Sequence, residues 1–481
     1  MQPSSPPPHQ PNSSQTHRNV LLSCAVLLVA VCVGLSLLSA AGVGVGLWSA
    51  RVARPTPAPT RIQITPLPTS TLDPAQTPVG LPEPPPAQIA AQMDRIQAQV
   101  IEIRGLRPSF AVPRGLLTHA GLQKKVVQDF FKEYTPEKAA DDAVLLELVG
   151  LVPQGFDLID FYTRLYTEQV AGFYDNEAKE MYVIQDESFT GVERDTYSHE
   201  YTHFLQDANF DFKNRMGDST RACAGQSDRC AGVQALIEGD AVMTEQIWLA
   251  RYVTPEDQQQ IFRSAQTSSF PVYQSSPQYF QQDFLFPYRQ GAEFVQSLYD
   301  QGGYNAVDQA FEHPPVSSEQ ILHPGKYPAE TPLPVQIPDL AAALGKDWRQ
   351  VKDDTLGEWA TYLILTAGED EQARLSAAEG RKGASGWGGD RVRVYLHDPD
   401  GARVLVALAA WDTERDAQEF QAAFERYARR RFGKPLDNSG ALRWQSPQGL
   451  VQFSRTSTHT LWLIAPDAQT IEGIVENSYV P

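Results

Sequence analysis

The sequence predicts an α+β protein in which a mainly helical region with a short β-hairpin precedes a smaller α+β region. Three observations support this prediction. Residues 192–210 contain no Pro or Gly and carry an apolar stripe, which predicts an amphipathic helix. Residues 168–184 place Asp175 and Asn176, two turn formers, between β-prone runs, which predicts a hairpin. Residues 391–478 follow the order β-β-α-β-β-β-α, which is typical of an α+β module.

The chain beyond residue 88 is long for a single hydrophobic core. It holds roughly 395 residues, and domains usually contain fewer. We therefore predict a mainly helical part at residues 89–345 and an α+β part at residues 346–481. In the second part, an amphipathic helix over residues 412–432 follows a hairpin that turns at residues 398–401. No group of titratable residues in this second part indicates chemistry.

The helix over residues 192–210 contains the sequence HEYTH, in which His199 and His203 are separated by four positions. Residues four apart lie on one face of a helix, so both imidazoles can reach the same ion. Glu200 then lies beside the position of a metal-activated water, where a general base is needed. H-E-x-x-H is typical of zinc peptidases, and the alternative is a solvated helix that happens to carry two histidines.

A third metal ligand is expected because catalytic zinc usually takes three protein ligands and leaves one position for water. Glu238 lies in a helix-like run over residues 231–251 and is flanked by apolar residues. A carboxylate in such a segment is costly to bury unless it is paired or bound to a metal. The alternative is a buried salt bridge between Glu238 and an arginine such as Arg251.

The H-E-x-x-H motif followed by a glutamate on a second helix resembles the gluzincin metallopeptidases, the clan of thermolysin-like zinc enzymes. Several phrases are also similar to those of membrane-anchored or surface proteins of prokaryotes in that clan, over about residues 130–420. These phrases are HEYTHFLQD at 199–207, ALIEGDA at 235–241, FPYRQGAEF at 286–294, PVSSEQILHP at 315–324 and WGGDR at 387–391. The interval between His203 and Glu238 is longer than in thermolysin, so the chain departs from the family around the substrate cleft.

The resemblance implies a zincin-like fold for the helical part and a role for each motif residue. His199, His203 and Glu238 would bind one catalytic Zn²⁺, and Glu200 would act as the general base toward the activated water. Asp240 would lie in the second shell and orient a ligand imidazole, as outer-shell carboxylates do. A capping or turn-forming role for Asp240 beside Gly239 is the alternative.

Other groups of the site are also implied by the resemblance, since thermolysin-like enzymes use His and Tyr as oxyanion donors. His323 and the nearby Tyr327 are the candidates, with His323 as a catalytic residue. The alternative for His323, which precedes a proline, is a helix-ending residue with a local hydrogen bond. Residues 181–184 would suit the edge strand that holds an extended substrate in gluzincins, although an ordinary hairpin explains them equally.

The N-terminal residues predict a membrane anchor. Residues 1–18 form a polar tail, and residues 19–50 contain no charged side chain and are mostly apolar. That length is enough for one transmembrane helix. Residues 51–88 are rich in Pro and Thr and predict a semi-rigid linker. Cleavage after the small residues near Ala41 would instead release a secreted form.

Two features bear on the side of the membrane that the main region occupies. One arginine precedes the apolar span and three follow it closely, which by the positive-inside tendency favours an internal C-terminus. Against this, Cys223 and Cys230 lie close together between the two ligand helices and could form a disulfide in an oxidising compartment. Two free thiols are the alternative. We predict an extracytoplasmic catalytic region on a single-pass membrane protein.

These observations favour a membrane-anchored zinc metallopeptidase that acts on a peptide or protein substrate. A formal net charge of −18 without an extended basic patch argues against nucleic-acid binding. An intramembrane protease is excluded because the metal motif lies far beyond the apolar span, in a segment too polar for lipid. The alternative is a non-enzymatic cell-envelope surface or binding protein with a structural metal site, although no fourth protein ligand stands at a suggestive spacing.

Overall fold

The computed structural model of the chain describes residues 85–131, 134–169, 172–184, 189–436 and 441–477. The predicted polar tail, the apolar span at residues 19–50 and most of the predicted linker lie outside these residues. Within the described ranges, no helix is both long enough and apolar enough to cross a membrane.

The first part of the described chain is mainly helical, as predicted, and contains three short strands. Its helices are α1 Ala87–Arg104, α2 His119–Phe130, α3 Pro136–Val149, α4 Leu158–Gln169, α5 Gly191–Phe210, α6 Thr220–Cys223, α7 Ser227–Tyr252, α8 Pro255–Thr267, α9 Pro271–Ser275, α10 Gln278–Asp283, α11 Phe286–Gly302, α12 Tyr304–Glu312, α13 Ser318–Leu322 and α14 Ala341–Leu344. Its strands are β1 Arg114–Leu117, β2 Gly172–Asp175 and β3 Glu180–Ile184.

The three strands form a sheet in the order β1-β3-β2. The predicted hairpin is present, since β2 and β3 pair antiparallel with Gly172 opposite Val183 and Asp175 opposite Glu180. β1 pairs with β3 in parallel, a contact that the sequence did not predict. Because β3 lies between two partners, the prediction that residues 181–184 offer an exposed edge is wrong. The edge strand of this hairpin is β2.

The helices α5 and α7 form the centre of the helical part. Thr190 and Glu193 make a capping box at the start of α5, which fixes where the helix begins. α11 crosses α7 at two glycines: a Cβ on Gly239 would lie 2.2 Å from the carbonyl oxygen of Gly291, and a Cβ on Gly291 would lie 2.1 Å from that of Ala235. Only glycine allows the two backbones to approach this closely.

The second part contains the predicted order β-β-α-β-β-β-α, preceded by one further strand and two helices. Its elements are β4 Trp348–Asp354, α15 Gly357–Thr366, α16 Ala377–Ala384, β5 Trp387–His397, β6 Arg403–Trp411, α17 Glu414–Phe432, β7 Leu442–Ser446, β8 Gly449–Thr456, β9 His459–Ala465 and α18 Ala468–Asn477. The six strands form an antiparallel sheet in the order β4-β5-β6-β9-β8-β7.

Both faces of the central strands β6 and β9 are buried, and successive side chains along each strand point to opposite faces of the sheet. On β6, Val404 and Val406 pack with α18 and Leu340, whereas Leu405 belongs to the other face with Trp462. This other face joins a hydrophobic core that extends without interruption to α1, α5 and α7. The two parts therefore share one core, and α15 packs against α7, the helix that carries Glu238.

Candidate metal centre

The crossing of α5 and α7 brings three candidate ligand atoms together. His199 Nε2 lies 3.0 Å from His203 Nε2, and Glu238 Oε2 lies 3.3 Å from each of them. All three side chains are buried. Two imidazole nitrogens and one carboxylate oxygen form the donor set that suits Zn²⁺, and these three residues could hold one metal ion. The fit is good because a cation between the three atoms would satisfy lone pairs that otherwise face one another.

The second nitrogen of each imidazole has its own partner. His199 Nδ1 lies 3.0 Å from Glu245 Oε2, and His203 Nδ1 lies 3.0 Å from Gln206 Oε1. Both partner oxygens are acceptors, so each Nδ1 carries a proton and Nε2 is the nitrogen of each ring that can offer a lone pair to a metal. The sequence reasoning missed Glu245 and Gln206. Glu245 follows Glu238 by two helical turns on α7, so helical spacing could have pointed to it.

Asp240 reaches the histidines only indirectly. Gln206 Nε2 donates to Asp240 Oδ2 over 2.8 Å, and Arg104 Nε donates to the same oxygen over 2.8 Å in a buried ion pair. The predicted contact between Asp240 and a ligand imidazole is therefore replaced by a chain through Gln206. The alternative role in a cap or turn is wrong, since α7 continues through Gly239 and Asp240 without a break.

Glu200 is completely buried and does not belong to the three-ligand group. Its Oε2 accepts a 2.8 Å hydrogen bond from the backbone N–H of Tyr174 on β2. Its Oε1 has no hydrogen-bond partner among the described residues. Burial raises the pKa of Glu200 to about 7, although the charges of His203 and His199 oppose the shift. A carboxylate with a pKa near neutrality can both accept and release a proton.

The space beside the ligand group is small. A cavity of about 30 Å³ is lined by Tyr174, His203, Glu238 and their neighbours, which is room for about one water molecule. A peptide does not fit in this space. Tyr174 lies on the edge strand β2, and its hydroxyl donates to Asp207 while its backbone N–H points to Glu200.

The structure does not bring His323 or Tyr327 to the ligand group. His323 Nε2 lies 2.9 Å from Glu358 Oε1, and both residues line a separate cavity that shares no lining residue with the small one. Tyr327 donates its hydroxyl proton to the carbonyl oxygen of His313 over 2.8 Å. His323 does end its helix, as the alternative interpretation has it, since it follows α13 directly.

Cys223 and Cys230 form a disulfide. It links the short helix α6 to the first turn of α7, the helix that carries Glu238. The loop between the two ligand helices is thereby tied to the start of α7.

Three comparisons with known proteins add little to this geometry. Residues 346–475 match a family model described as a domain of unknown function (DUF8575), which covers most of the α+β part. No curated protein matches the chain. A crystal structure from Chloroflexus aurantiacus, described as that of a candidate hydrolase with a novel fold, covers 50% of this chain and 89% of its own, with 17% identity and a TM-score of 0.32. A likeness at this level carries no argument about fold or function.

Proposed function

We propose that this chain is a zinc-dependent peptidase. The observation that carries the proposal is the convergence of His199, His203 and Glu238 beside a buried carboxylate, Glu200, that is not one of them. A structural site needs no such carboxylate, whereas peptide hydrolysis needs a group that moves a proton. The anchor predicted at residues 19–50 would place this activity at a membrane surface, with an extracytoplasmic peptide or protein as substrate.

A zinc ion held by the three ligands would supply a Lewis acid that activates water for attack on a peptide carbonyl. Glu200 takes a proton from that water as the new C–O bond forms. It then gives the proton to the amide nitrogen as the C–N bond breaks. The hydrogen bond from the Tyr174 N–H holds one oxygen of Glu200 in place and leaves Oε1 for this transfer.

A structural metal site in a non-enzymatic envelope protein is the second candidate function. The full burial of the three ligands and the cavity of about 30 Å³ favour it, because a catalytic site must admit its substrate. The two candidates differ in what Glu200 does. In the peptidase it is essential for turnover, and in the structural site its charge has no role.

The test is the variant Glu200→Gln in the full chain, compared with wild type for zinc content and for hydrolysis of denatured casein. We expect unchanged zinc content and a loss of hydrolysis of about 10²- to 10⁴-fold, the usual contribution of a general acid–base group. Glu193→Gln is the matched control, since it changes a glutamate on the same helix that only caps its start.

Two results would contradict the peptidase. Wild-type protein that binds zinc without hydrolysing any unfolded substrate would favour the structural site. Hydrolysis that survives in Glu200→Gln, at the rate of Glu193→Gln, would remove Glu200 from the proposed role.

A further inference from the structure

A second and larger cavity lies where the helical part meets the α+β part. Its volume is about 450 Å³, and its walls come from α11, α13, α15 and α16. Small-molecule sites usually enclose roughly 300–1,000 Å³, so this cavity is large enough for a ligand, unlike the space at the metal centre. None of its residues belongs to the proposed peptidase chemistry.

Three positively charged, exposed side chains line this cavity. Arg289 comes from α11, whereas Arg381 and Lys382 come from α16. Such a group stands out in a chain whose net charge is −18. In the described ranges, neither guanidinium forms an ion pair, and only Lys382 approaches a carboxylate, Glu419, at 3.5 Å. Guanidinium groups that have no carboxylate partner are suited to bind a carboxylate or phosphate, which they hold through paired N–H donors.

Aromatic and apolar side chains also line the cavity. Trp359 and Tyr362 on α15 stack with their ring centroids 5.3 Å apart. The indole N–H of Trp359 donates to Asp283 over 2.9 Å, which fixes the orientation of the ring. Leu285 and Leu322 complete this wall. A fixed aromatic surface of this kind favours contact with another planar ring.

One carboxylate, that of Glu358, lines the cavity together with the three positively charged side chains. Glu358 is buried and pairs with His323, whose Nε2 lies 2.9 Å away. The hydrogen bond with Glu358 raises the pKa of His323, which favours the protonated form of the imidazole. With Arg289, Arg381 and Lys382 against the single carboxylate Glu358, the side chains that line the cavity carry a net positive charge.

We propose that this cavity binds a small organic anion that carries a planar apolar ring. Arg289 and Arg381 hold the anionic group, and Trp359 and Tyr362 contact the ring. His323 and Glu358, which are hydrogen-bonded to each other, also line the cavity. This site is separate from the metal centre, and its ligand class does not depend on whether the chain is a peptidase.

The test is a ligand-observed NMR titration of the full chain with three probes. Benzoate has both the ring and the charge, acetate has only the charge, and benzyl alcohol has only the ring. We expect saturable binding of benzoate that is about tenfold or more tighter than that of either single-feature probe, because each feature adds its own contact energy.

The double variant Arg289→Gln/Arg381→Gln should weaken benzoate binding by about tenfold or more, since charge-assisted hydrogen bonds are lost. The matched control is Arg263→Gln/Lys346→Gln, which removes the same charge from exposed positions that do not line the cavity. Wild type that shows no saturable benzoate binding would overturn the proposal. Equal benzoate affinity in the two double variants would also overturn it, as would acetate that binds as tightly as benzoate.

Discussion

Two buried carboxylates on the same helix, Asp228 and Glu238 of α7, respond to burial in opposite ways. Around Glu238, burial pushes the pKa up, but the charges of His203 and His199 and their hydrogen bonds outweigh it and lower the pKa to about 2. Around Asp228, burial raises the pKa to about 8, and the hydrogen bonds from Ser318 oppose it only in part. The neighbours, and not burial alone, decide which acid is charged. Of the two, only Glu238 is suited to bind a cation.

Removing each carboxylate in turn should change zinc affinity by very different amounts. Glu238→Gln should lower it well beyond the roughly 100-fold that changes to outer-shell partners cause, since an anionic ligand becomes a neutral amide. Asp228→Asn should leave zinc affinity unchanged, because Asp228 is neutral in the folded protein. Competition with a chromophoric zinc chelator measures both. Equal affinities for the two variants would show that Glu238 is not a ligand.

The two imidazoles of the metal centre differ in their hydrogen-bond partners. His199 pairs with a carboxylate, Glu245, and His203 pairs with a carboxamide, Gln206. Glu245→Gln should weaken zinc binding by about 10- to 100-fold, because the carboxylate orients the ring and increases the basicity of its other nitrogen.

The same chelator competition tests the outer-shell change. Glu256→Gln, at an exposed position on α8, is the control and should bind zinc as wild type does. An unchanged affinity in Glu245→Gln would mean that the contact with His199 serves packing alone.

Most of the fold could be predicted where local patterns are strong. The nearly continuous apolar runs of β6 and β9, typical of strands buried on both faces, and the capped amphipathic helix α17 are visible in the sequence. β4 was not predicted because most of its side chains are polar and only Asp354 is buried. It therefore shows neither an apolar run nor an alternation of apolar and polar residues. The pairing of β1 with β3 joins segments far apart in the chain, and no local pattern encodes it.

Some residues of the candidate site could likewise be predicted from the sequence, and others could not. The spacing of His199 and His203 follows from helix geometry, and the apolar surroundings of Glu238 indicated a carboxylate with a special partner. The place of His323 could not be predicted, because the sequence does not say which cavity a loop residue will line. Its pairing with Glu358 depends on how α13 packs against α15, a contact between separate segments.

The smallest expected effect is a change in how the free energy of unfolding depends on pH. It tests whether Asp228 keeps its proton in the folded protein. Its pKa of about 8 in the folded protein lies far above the ordinary value of 3.8. Between these values the unfolded chain releases a proton that the folded chain keeps, so the free energy of unfolding falls as the pH rises. One such proton contributes a slope of up to about 1.4 kcal/mol per pH unit.

Asp228→Asn should remove this slope, since asparagine keeps an acceptor for the Ser318 N–H without a charge. Urea denaturation at pH 6 and pH 7 measures the difference, with Asp300→Asn on the exposed side of α11 as the control that keeps the wild-type slope. Identical slopes in Asp228→Asn and wild type would mean that Asp228 is charged in the folded protein, and the contrast with Glu238 would be lost.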